Sequence, residues 1–411
     1  MLRTIDVDQL RPGMYIHRML GPWLKHPFWR TSFVVGSADI EQLRGSVVEQ
    51  VVIDVRQGLD VDAGIRPPSP PAESDAAATE AAPDAMQQPG TGAVVLDASA
   101  TSLSAEMERA RRICREGRDM VAAMFQEARL GKIVDTSAAM PLVEEIAGSV
   151  QRHPAALISM ARLKTADDYT YMHSVAVSAL MTTLARQLRL PDDQVMEAAM
   201  GGLLHDMGKA AVPVAVLNKP GKLSDDEFAV VRRHPQEGER LLRAAGMDHA
   251  GVIDIALHHH EKIDGSGYPH RLAGDQISML ARMGAICDVY DAITSHRPYK
   301  RGWDPGESLQ RMASWQGHFD PAMFKGFVRS LGIYPIGTLV RLASDRLGVV
   351  IEQHPESLLT PRVRVFHSAK LRQHTLITDI DLAAPQCQDR IVQIESPAQW
   401  GFKDLEKLWA V

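Results

Sequence analysis

Residues 194–209 read QVMEAAMGGLLHDMGK, an apolar run that closes on a histidine and an aspartate. The apolar side chains recur at helical spacing and cover more than one face, as expected of a helix buried on most sides. They are Val195, Met196, Ala199, Met200, Leu203, Leu204 and Met207. An ionised carboxylate in such surroundings costs several kcal/mol unless it is paired or bound to a metal. The run therefore predicts a helical bundle with His205 and Asp206 at a functional place inside it.

Histidines and aspartates in apolar segments recur about once per predicted helix around this run. His173 lies in HSVAVSAL, His234 in RRHPQEG, and Asp288 in RMGAICDVYDAI, while a run of histidines follows GVIDIAL. A helical bundle can project one or two ligands from each helix into its centre. Imidazole and carboxylate without thiolate fit iron, manganese, nickel, cobalt or zinc. Adjacent pairs such as His205-Asp206 favour a binuclear centre with a bridging carboxylate, although a histidine taken singly is usually a core or surface residue.

The stretch LHHHEKIDGSGYP, at 257–269, places three histidines in a row before a turn. Successive helix residues point about 100° apart, so the three imidazoles cannot serve one site in the same way. The glycines permit positive φ or close backbone approach, and the proline fixes the exit of the loop. Glu261 and Asp264 are candidates to orient the ligating imidazoles.

Together these segments resemble the HD-GYP family of cyclic di-GMP phosphodiesterases. The resemblance runs from about 169 to 300 and rests on HSVAVS, HDMGKAAVPVAVLNKPGKLSDDEF, HPQEG, HHEKIDGSGYPHRLAGDQI and ARMGAICDVYDAITSHRPYK. It implies two metal sites that share the carboxylate of Asp206. The ligands implied for the first metal are His173, His205, Asp206 and Asp288, and those for the second are His234, His259 and His260.

The register of the family pattern, His-His-Glu-x-x-Asp-Gly-x-Gly-Tyr-Pro, leaves His258 outside the site. The alternative register takes His258 and His259 as ligands, with His260 packed elsewhere. Some family members carry a glutamate four residues before the first metal-binding histidine, and it supports a third metal. Tyr169 occupies that position here, with Asp168 next to it. The resemblance therefore implies two metals, and Asp168 is the nearby group that could hold a third.

The resemblance also implies residues that contact the substrate. Lys209, Arg297 and Lys300 match the cations that bind phosphate in the family, a role that suits a point charge or a bidentate guanidinium. The alternative is that these cations form a solvated basic surface. Tyr268 is suited either to stacking on a guanine base or to pinning the loop on the helices. Asp206 and Lys209 are the predicted catalytic residues.

The implied reaction is hydrolysis of cyclic di-GMP to linear pGpG, with GMP as a further product in some family members. It uses a hydroxide activated between two divalent metal ions, of which iron or manganese is favoured, and it lowers a bacterial second messenger. One alternative is a sensor or scaffold that binds cyclic di-GMP without turnover. Another is an HD-type phosphohydrolase of a different nucleotide. The family also implies contact with diguanylate cyclase domains.

Bulk composition limits the other partners and the compartment. The formal net charge of −6 and the pI near 6.2 argue against a partner that is a nucleic acid polymer or an anionic membrane. The three cysteines are far apart and odd in number, which favours a reducing compartment over a disulfide framework. The first residues lack the apolar core of a signal peptide, and no apolar run reaches the roughly 18 residues of a membrane span. A cytoplasmic protein is expected.

The 411 residues predict a multidomain, mainly α protein in which a helical-bundle core is flanked by two small β domains. The predicted parts are a β-rich N-terminal domain at 1–63, a disordered Pro/Ala-rich linker at 64–103, a connecting helix at 104–139, the HD-GYP domain at 140–334 and an antiparallel β domain of about five strands at 335–411. The segment with LRPGMYI resembles a domain of unknown function common before HD-GYP domains. The charged, amphipathic connecting helix fits either a linking role or a homodimer contact.

Overall fold

A computed structural model describes residues 2–19, 33–44, 48, 50–59, 103–162, 169–219, 221–295, 302–354 and 357–410. The predicted linker lies outside these residues except for its last position, 103, where a helix begins. Arg297, Lys300 and Asp168 also lie outside the described residues. Within the described part of the chain, no helix has both the length and the apolar character needed to cross a membrane.

The N-terminal unit is a small antiparallel sheet with one helix, as its β-branched sequence predicts. Its core is formed by alternating side chains that point to one face, such as Val51 and Ile53, together with Met14, Ile16 and Leu43. The strand order is β1-β4-β2-β3. The elements are β1 (Leu2–Asp6), β2 (Tyr15–Met19), β3 (Phe33–Val34), α1 (Ser37–Arg44) and β4 (Gln50–Asp54).

The long helix α2 (Leu103–Arg129) packs its apolar face on the helical bundle of the same chain. Ile113, Val121 and Phe125 are each 1% exposed or less, so this face is covered inside the molecule. This packing supports the linking role of the helix. The helix ends ten residues before the predicted boundary at 139, because Gly131 adopts φ +71° and the chain turns there.

The central part is a bundle of eleven described helices. Glycines let the helices approach closely: a Cβ on Gly202 would lie 2.9 Å from Cα of Ser178, and a Cβ on Gly201 would lie 2.2 Å from Cδ1 of Ile255. The close contacts bring the end of α6, with its His-Asp pair, between α5 and α10. The helices are α3 (Met140–Arg152), α4 (Pro154–Arg162), α5 (Tyr169–Gln187), α6 (Asp192–Leu204), α7 (Val214–Leu217), α8 (Asp225–Val231), α9 (His234–Ala244), α10 (Ala250–His258), α11 (Met279–Thr294), α12 (Pro305–Ser314) and α13 (Pro321–Leu331).

A second helix boundary differs from the sequence pattern, in which Ser224 followed by Glu227 predicts a capping box that opens the helix carrying His234. The capping box of Ser224 and Glu227 is present, but the helix that it opens, α8, ends at Val231. His234 begins a separate helix, α9, whose second residue is Pro235. Proline is favoured in the first turn of a helix and cannot donate a backbone hydrogen bond to a continuing one. The break places His234 at a helix start, where its side chain can turn inward.

The C-terminal part is a five-stranded antiparallel sheet, which confirms the predicted strand count. Val340, Leu342, Val350 and Val363 are buried in the same core as the bundle, so the sheet and the helices share one apolar interior. The strand order is β8-β7-β6-β5-β9, formed by β5 (Leu339–Leu342), β6 (Arg346–His354), β7 (Ser357–Ser368), β8 (Gln373–Asp381) and β9 (Ile391–Ile394).

Candidate metal centre

The seven predicted metal ligands meet at the centre of the bundle. They come from five helices or helix ends: α5, the C-terminal end of α6, the start of α9, the end of α10 and the middle of α11. Six of the seven are buried, and His260 is half-buried. The set is His173, His205, Asp206, His234, His259, His260 and Asp288.

The first group of ligand atoms belongs to His173, His205 and Asp206. One ligand atom from each of these residues lies within 4.8 Å of the others. Asp288 closes the group, since its Oδ1 lies 2.9 Å from Nε2 of His173 and 3.9 Å from Nε2 of His205. These are the four residues implied for the first metal.

The second group is formed by His234, His259 and His260, again with ligand atoms within 4.8 Å of one another. The Nε2 atoms of His234 and His259 are 3.2 Å apart. Asp206 lies between the two groups: its Oδ1 is 3.4 Å from Nε2 of His234, and its Oδ2 is 3.3 Å from Nε2 of His205. The carboxylate is therefore placed to serve both groups.

Two buried polar atoms without hydrogen-bond partners are available to coordinate metal ions. Nε2 of His205 and Oδ1 of Asp206 are buried and have no hydrogen-bond partner. A buried polar atom without a partner costs about 1–3 kcal/mol, and divalent ions would satisfy both atoms. Histidine nitrogens and carboxylate oxygens are suitable donors for a divalent transition metal. The arrangement fits a binuclear centre.

Backbone carbonyls orient three of the imidazoles. Nδ1 of His205 lies 2.8 Å from the carbonyl oxygen of Gly202, and Nδ1 of His234 lies 2.8 Å from that of Val231. Nδ1 of His259 lies 3.0 Å from the carbonyl oxygens of its own helix at positions 255 and 256. Each Nδ1 therefore carries the proton and donates it, which leaves the Nε2 lone pair directed at the centre.

The fourth orienting group is a carboxylate that the sequence analysis missed. Oδ2 of Asp291 accepts a 2.6 Å hydrogen bond from Nδ1 of His173, and Asp291 is 1% exposed. Its signal was the spacing of three residues from Asp288, which puts both carboxylates on one face of α11. The residues predicted for this role do something else. Glu261 accepts backbone N–H groups at 270 and 272, and Asp264 accepts that of Ser266.

The electrostatic environment keeps the carboxylate of Asp206 ionised and the histidines of the second group neutral. Burial opposes the charge of Asp206, but Lys209 and His205 outweigh it and hold the pKa of Asp206 well below its usual value. Burial lowers the pKa of His234 to about 3 and that of His260 to about 4. Neutral imidazole is the form that binds metal, so these histidines are ready as ligands at neutral pH.

Lys209 reaches the centre from a 3-10 turn that follows α6. Its Nζ lies 2.5 Å from Oδ2 of Asp206, and its side chain is 22% exposed. Gly208, next to it, permits the turn to lie against the start of α9, because a Cβ there would come 1.8 Å from the carbonyl oxygen of His234. The ammonium therefore lies beside the shared carboxylate with part of its surface open.

The three consecutive histidines have separate surroundings. His259 and His260 face the centre, whereas Nδ1 of His258 lies 2.6 Å from Oδ1 of Asp254 and its Nε2 lies 3.0 Å from Nδ1 of His270. The geometry supports the register that leaves His258 out of the site. It does not support the alternative with His258 as a ligand.

The loop after the histidines packs on the centre through Tyr268. The Tyr268 ring stacks on His260 with centroids 4.7 Å apart, and the guanidinium of Arg232 lies 4.5 Å from the Tyr268 centroid. Gly267 is needed for close approach, since a Cβ there would lie 2.5 Å from Cα of Glu261. These contacts support the loop-pinning role of Tyr268. The side chain of Tyr169, at the position linked to a third metal, is outside the described residues.

Two families match the chain. Residues 143–323 match the HD domain, and residues 2–139 match a domain of unknown function, DUF3391. The HD domain match contains all seven predicted metal ligands. The second match contains the small N-terminal sheet and helix α2.

Three curated proteins illustrate the likeness. A cyclic di-GMP phosphodiesterase of Pseudomonas aeruginosa is 52% identical over 411 residues, which cover 100% of this chain and 96% of that protein. A cyclic di-GMP phosphodiesterase response regulator of Xanthomonas campestris is 40% identical over 178 residues, 42% of this chain and 47% of that protein. A 3′3′-cGAMP-specific phosphodiesterase of Vibrio cholerae is 32% identical over 192 residues, 46% of this chain and 44% of that protein. The likeness to the Pseudomonas protein extends through both flanking domains.

Proposed function

The chain belongs to the HD-GYP family of cyclic di-GMP phosphodiesterases, and we propose that it hydrolyses a phosphodiester bond of cyclic di-GMP at the metal centre. The observation that supports this most is the pair of buried ligand groups that share Asp206. A structural cluster of histidines would not leave Nε2 of His205 and Oδ1 of Asp206 buried without partners. The first product is linear pGpG.

The residues at the metal centre have separate roles in the proposed hydrolysis. When bound, two divalent metal ions supply an activated water and neutralise phosphate charge. Asp206 holds the two ligand groups in register through its two oxygens. Lys209 lies beside Asp206 and is partly exposed. Its ammonium binds a non-bridging phosphate oxygen and stabilises the charge that develops there. Arg297 and Lys300 are proposed for the same task on the basis of the family motif.

The ligand sets favour iron or manganese as the metal. Five histidines and two carboxylates offer only nitrogen and oxygen donors, which suits these ions. Elemental analysis of anaerobically purified protein tests the proposal: about two equivalents of iron or manganese per chain are expected. Two equivalents of zinc in both anaerobic and aerobic preparations would contradict the choice of metal but not the ligand set.

The deciding experiment incubates metal-analysed protein with cyclic di-GMP and follows pGpG and GMP by chromatography. The Asp206→Ala variant should lose hydrolysis and bound metal together, because both ligand groups lose their shared carboxylate. The matched control is Asp225→Ala, which removes an exposed carboxylate in the first turn of α8. Full activity in Asp206→Ala would contradict the site assignment. Two bound metals without any product in the native protein would favour the sensor or scaffold role.

A second candidate substrate is another cyclic dinucleotide. The likeness to the 3′3′-cGAMP-specific enzyme of Vibrio cholerae over 46% of this chain is the observation that favours it. Parallel assays with equal concentrations of cyclic di-GMP and 3′3′-cGAMP distinguish the two. A higher kcat/KM for cyclic di-GMP is expected, since a relative that covers the whole chain is named a cyclic di-GMP phosphodiesterase.

We also propose that the exposed side of the loop contacts diguanylate cyclase domains. Ser266, His270 and Arg271 are exposed there, while the ligating histidines behind them are not. Ser266→Glu should weaken binding of a purified diguanylate cyclase domain and leave hydrolysis unchanged. Sedimentation of the same preparations reports whether a homodimer forms.

A further inference from the structure

A cavity separate from the metal centre lies between the helical bundle and the C-terminal sheet. Its volume is about 420 Å³, and its walls come from the junction of α3 and α4, from α11, from the end of α13 and from strands β6 and β7. None of the seven candidate metal ligands lines it. Sites for small molecules typically measure about 300–1,000 Å³, so this cavity is large enough for one.

The cavity has an excess of positive charge. Among its described lining residues there are three arginines and one acidic residue, Glu352. Glu352 lies 3.6 Å from Arg362, and Arg152 is bound by both oxygens of Glu106. These two lining charges are therefore already compensated. The remaining two, Arg162 and Arg329, form no ion pair with the described residues, although Arg162 is near enough to Asp304 to oppose the rise that burial causes in the pKa of that carboxyl.

Arg162 presents an unused donor to the cavity wall. Its Nη1 donates a 2.6 Å hydrogen bond to the carbonyl oxygen of Ile336, and its guanidinium lies 5.1 Å from the ring centroid of Trp409. Its Nε is buried and has no hydrogen-bond partner. Nδ1 of His153, also in the lining, is buried without a partner as well. Buried polar atoms of this kind are normally satisfied by a protein group, a water or a ligand.

Arg329 supplies a second cation at the solvent side. It is exposed at the end of α13 and forms no ion pair or hydrogen bond with the described residues. Apolar side chains lie beside these cations in the lining: Ile158 and Leu331 are each 8% exposed, and Leu358 is half-buried. The cavity thus combines two arginines that form no ion pair with the described residues and a surface suited to an apolar body.

We propose that this cavity binds a small organic anion. Its carboxylate or phosphate head lies between Arg162 and Arg329, and its aromatic or apolar body packs on Ile158, Leu331 and Leu358. Guanidinium groups bind either head group through charge-assisted hydrogen bonds. A ligand in this position also contacts Tyr290, which lines the cavity from α11, the helix that carries Asp288 of the metal centre.

The test uses the fluorescent probe 8-anilinonaphthalene-1-sulfonate, an aromatic anion, with the full-length protein. One saturable site is expected. Arg329→Glu should weaken it at least tenfold by reversing a charge, and Ala155→Phe should weaken it by filling the cavity. Arg329 is exposed and forms no ion pair or hydrogen bond within the described part of the chain, so its substitution should leave the fold intact. The matched control is Arg115→Glu, which reverses another exposed arginine without an ion pair among the described residues, on α2.

Competition then identifies the head group. Phenyl phosphate and benzoate share a ring and differ in the anion, so the one that displaces the probe better assigns phosphate or carboxylate. Benzyl alcohol, which has the ring without the charge, should not displace it. Equal probe affinity in all four proteins would overturn the proposal, because the probe would then be bound elsewhere, for example at Leu376, which is 85% exposed. Equal displacement by benzyl alcohol would overturn it too.

Discussion

Three adjacent histidines with different surroundings give the sharpest test of the site at the scale of single residues. His260→Gln should remove metal from the second group and lower hydrolysis by more than about 100-fold, since a lost ligand costs more than a lost orienting group. His258→Gln should leave both nearly unchanged, because its ring is bound by Asp254 and His270 outside the centre. Metal content and pGpG formation are the measurements. The reverse pattern would support the register with His258 as a ligand.

Asp291 provides a second prediction at this scale. Asp291→Ala removes the acceptor that fixes the ring of His173, 2.6 Å away, and should weaken metal affinity by about 10–100-fold. Titration against a chromophoric chelator measures that affinity. The matched control is Asp248→Ala, whose carboxylate side chain is 91% exposed. Equal affinity in wild type and Asp291→Ala would show that the carboxylate does not position His173.

The sequence predicted the ligands better than the groups that orient them. His205, Asp206 and Asp288 stand out because a polar residue in an apolar helix needs a reason to be buried. Asp291 did not stand out, since an acid near a helix end is usually solvated. The carbonyl oxygens that bind the Nδ1 atoms have no sequence signal at all, because every residue has one. The position where α6 ends must be known before the carbonyl oxygen of Gly202 can be assigned as the acceptor for His205.

Helix α2 shows what an ion pair contributes at the scale of an element. Glu106 on α2 accepts hydrogen bonds of 2.8 and 3.0 Å from Arg152 of α3, and its side chain is fully buried. Burial opposes its charge, but Arg152 and Ser149 outweigh it and lower the pKa of Glu106 below 4.5. The pair therefore fixes the linking helix on the bundle at neutral pH.

Glu106→Gln should lower the free energy of unfolding by about 2 kcal/mol at pH 7. Arg152 is 33% exposed, so water offsets part of its lost partner. Since the folded pKa is depressed, the contribution is complete above about pH 4.5 and is lost as the pH falls through the folded pKa. Urea denaturation of both proteins at pH 7 and at pH 4 measures the difference, which should shrink in acid.

The control for that series is Glu108→Gln on the same helix, where the glutamate side chain is 69% exposed and pairs with Arg111. It should change stability by less than about 0.5 kcal/mol at either pH. A Glu106→Gln cost that stays constant between pH 7 and pH 4 would mean that packing, and not the charge, fixes α2.

Element types were predictable from period and capping, but the end of helix α8 was not. The box of Ser224 and Glu227 opens a helix as predicted, but the apolar spacing of 225–240 does not show that α8 stops before His234. The stop depends on the tertiary contact of His234 with Asp206 and on Pro235 at the second helical position. A local signal, the proline, and a tertiary contact together set this boundary.

At the scale of the whole molecule, the five predicted C-terminal strands were found, but their shared core with the bundle was not predicted. Leu342 and Val350 are 0% exposed and belong to the same apolar cluster as Leu203 and Ile255 around the metal centre. An alternating strand pattern shows that one face is buried and does not show against what. The sheet is therefore part of the structural support of the site.

Because the sheet and the bundle share this core, we expect a substitution in the sheet to destabilise the metal centre as well. Leu342→Ala, in β5, should lower the free energy of unfolding by about 2–5 kcal/mol through a buried cavity, and it should lower the temperature of metal release with it. Leu376→Ala, on the exposed strand β8, is the matched control and should change both by little, since Leu376 is 85% exposed. The measurements are tryptophan fluorescence, which reports Trp400 and Trp409 among others, and a metal-sensitive dye in the same thermal scan. If Leu342→Ala shifted the fluorescence transition while metal release stayed at the wild-type temperature, the sheet and the bundle would be independent folding units despite their common apolar interior.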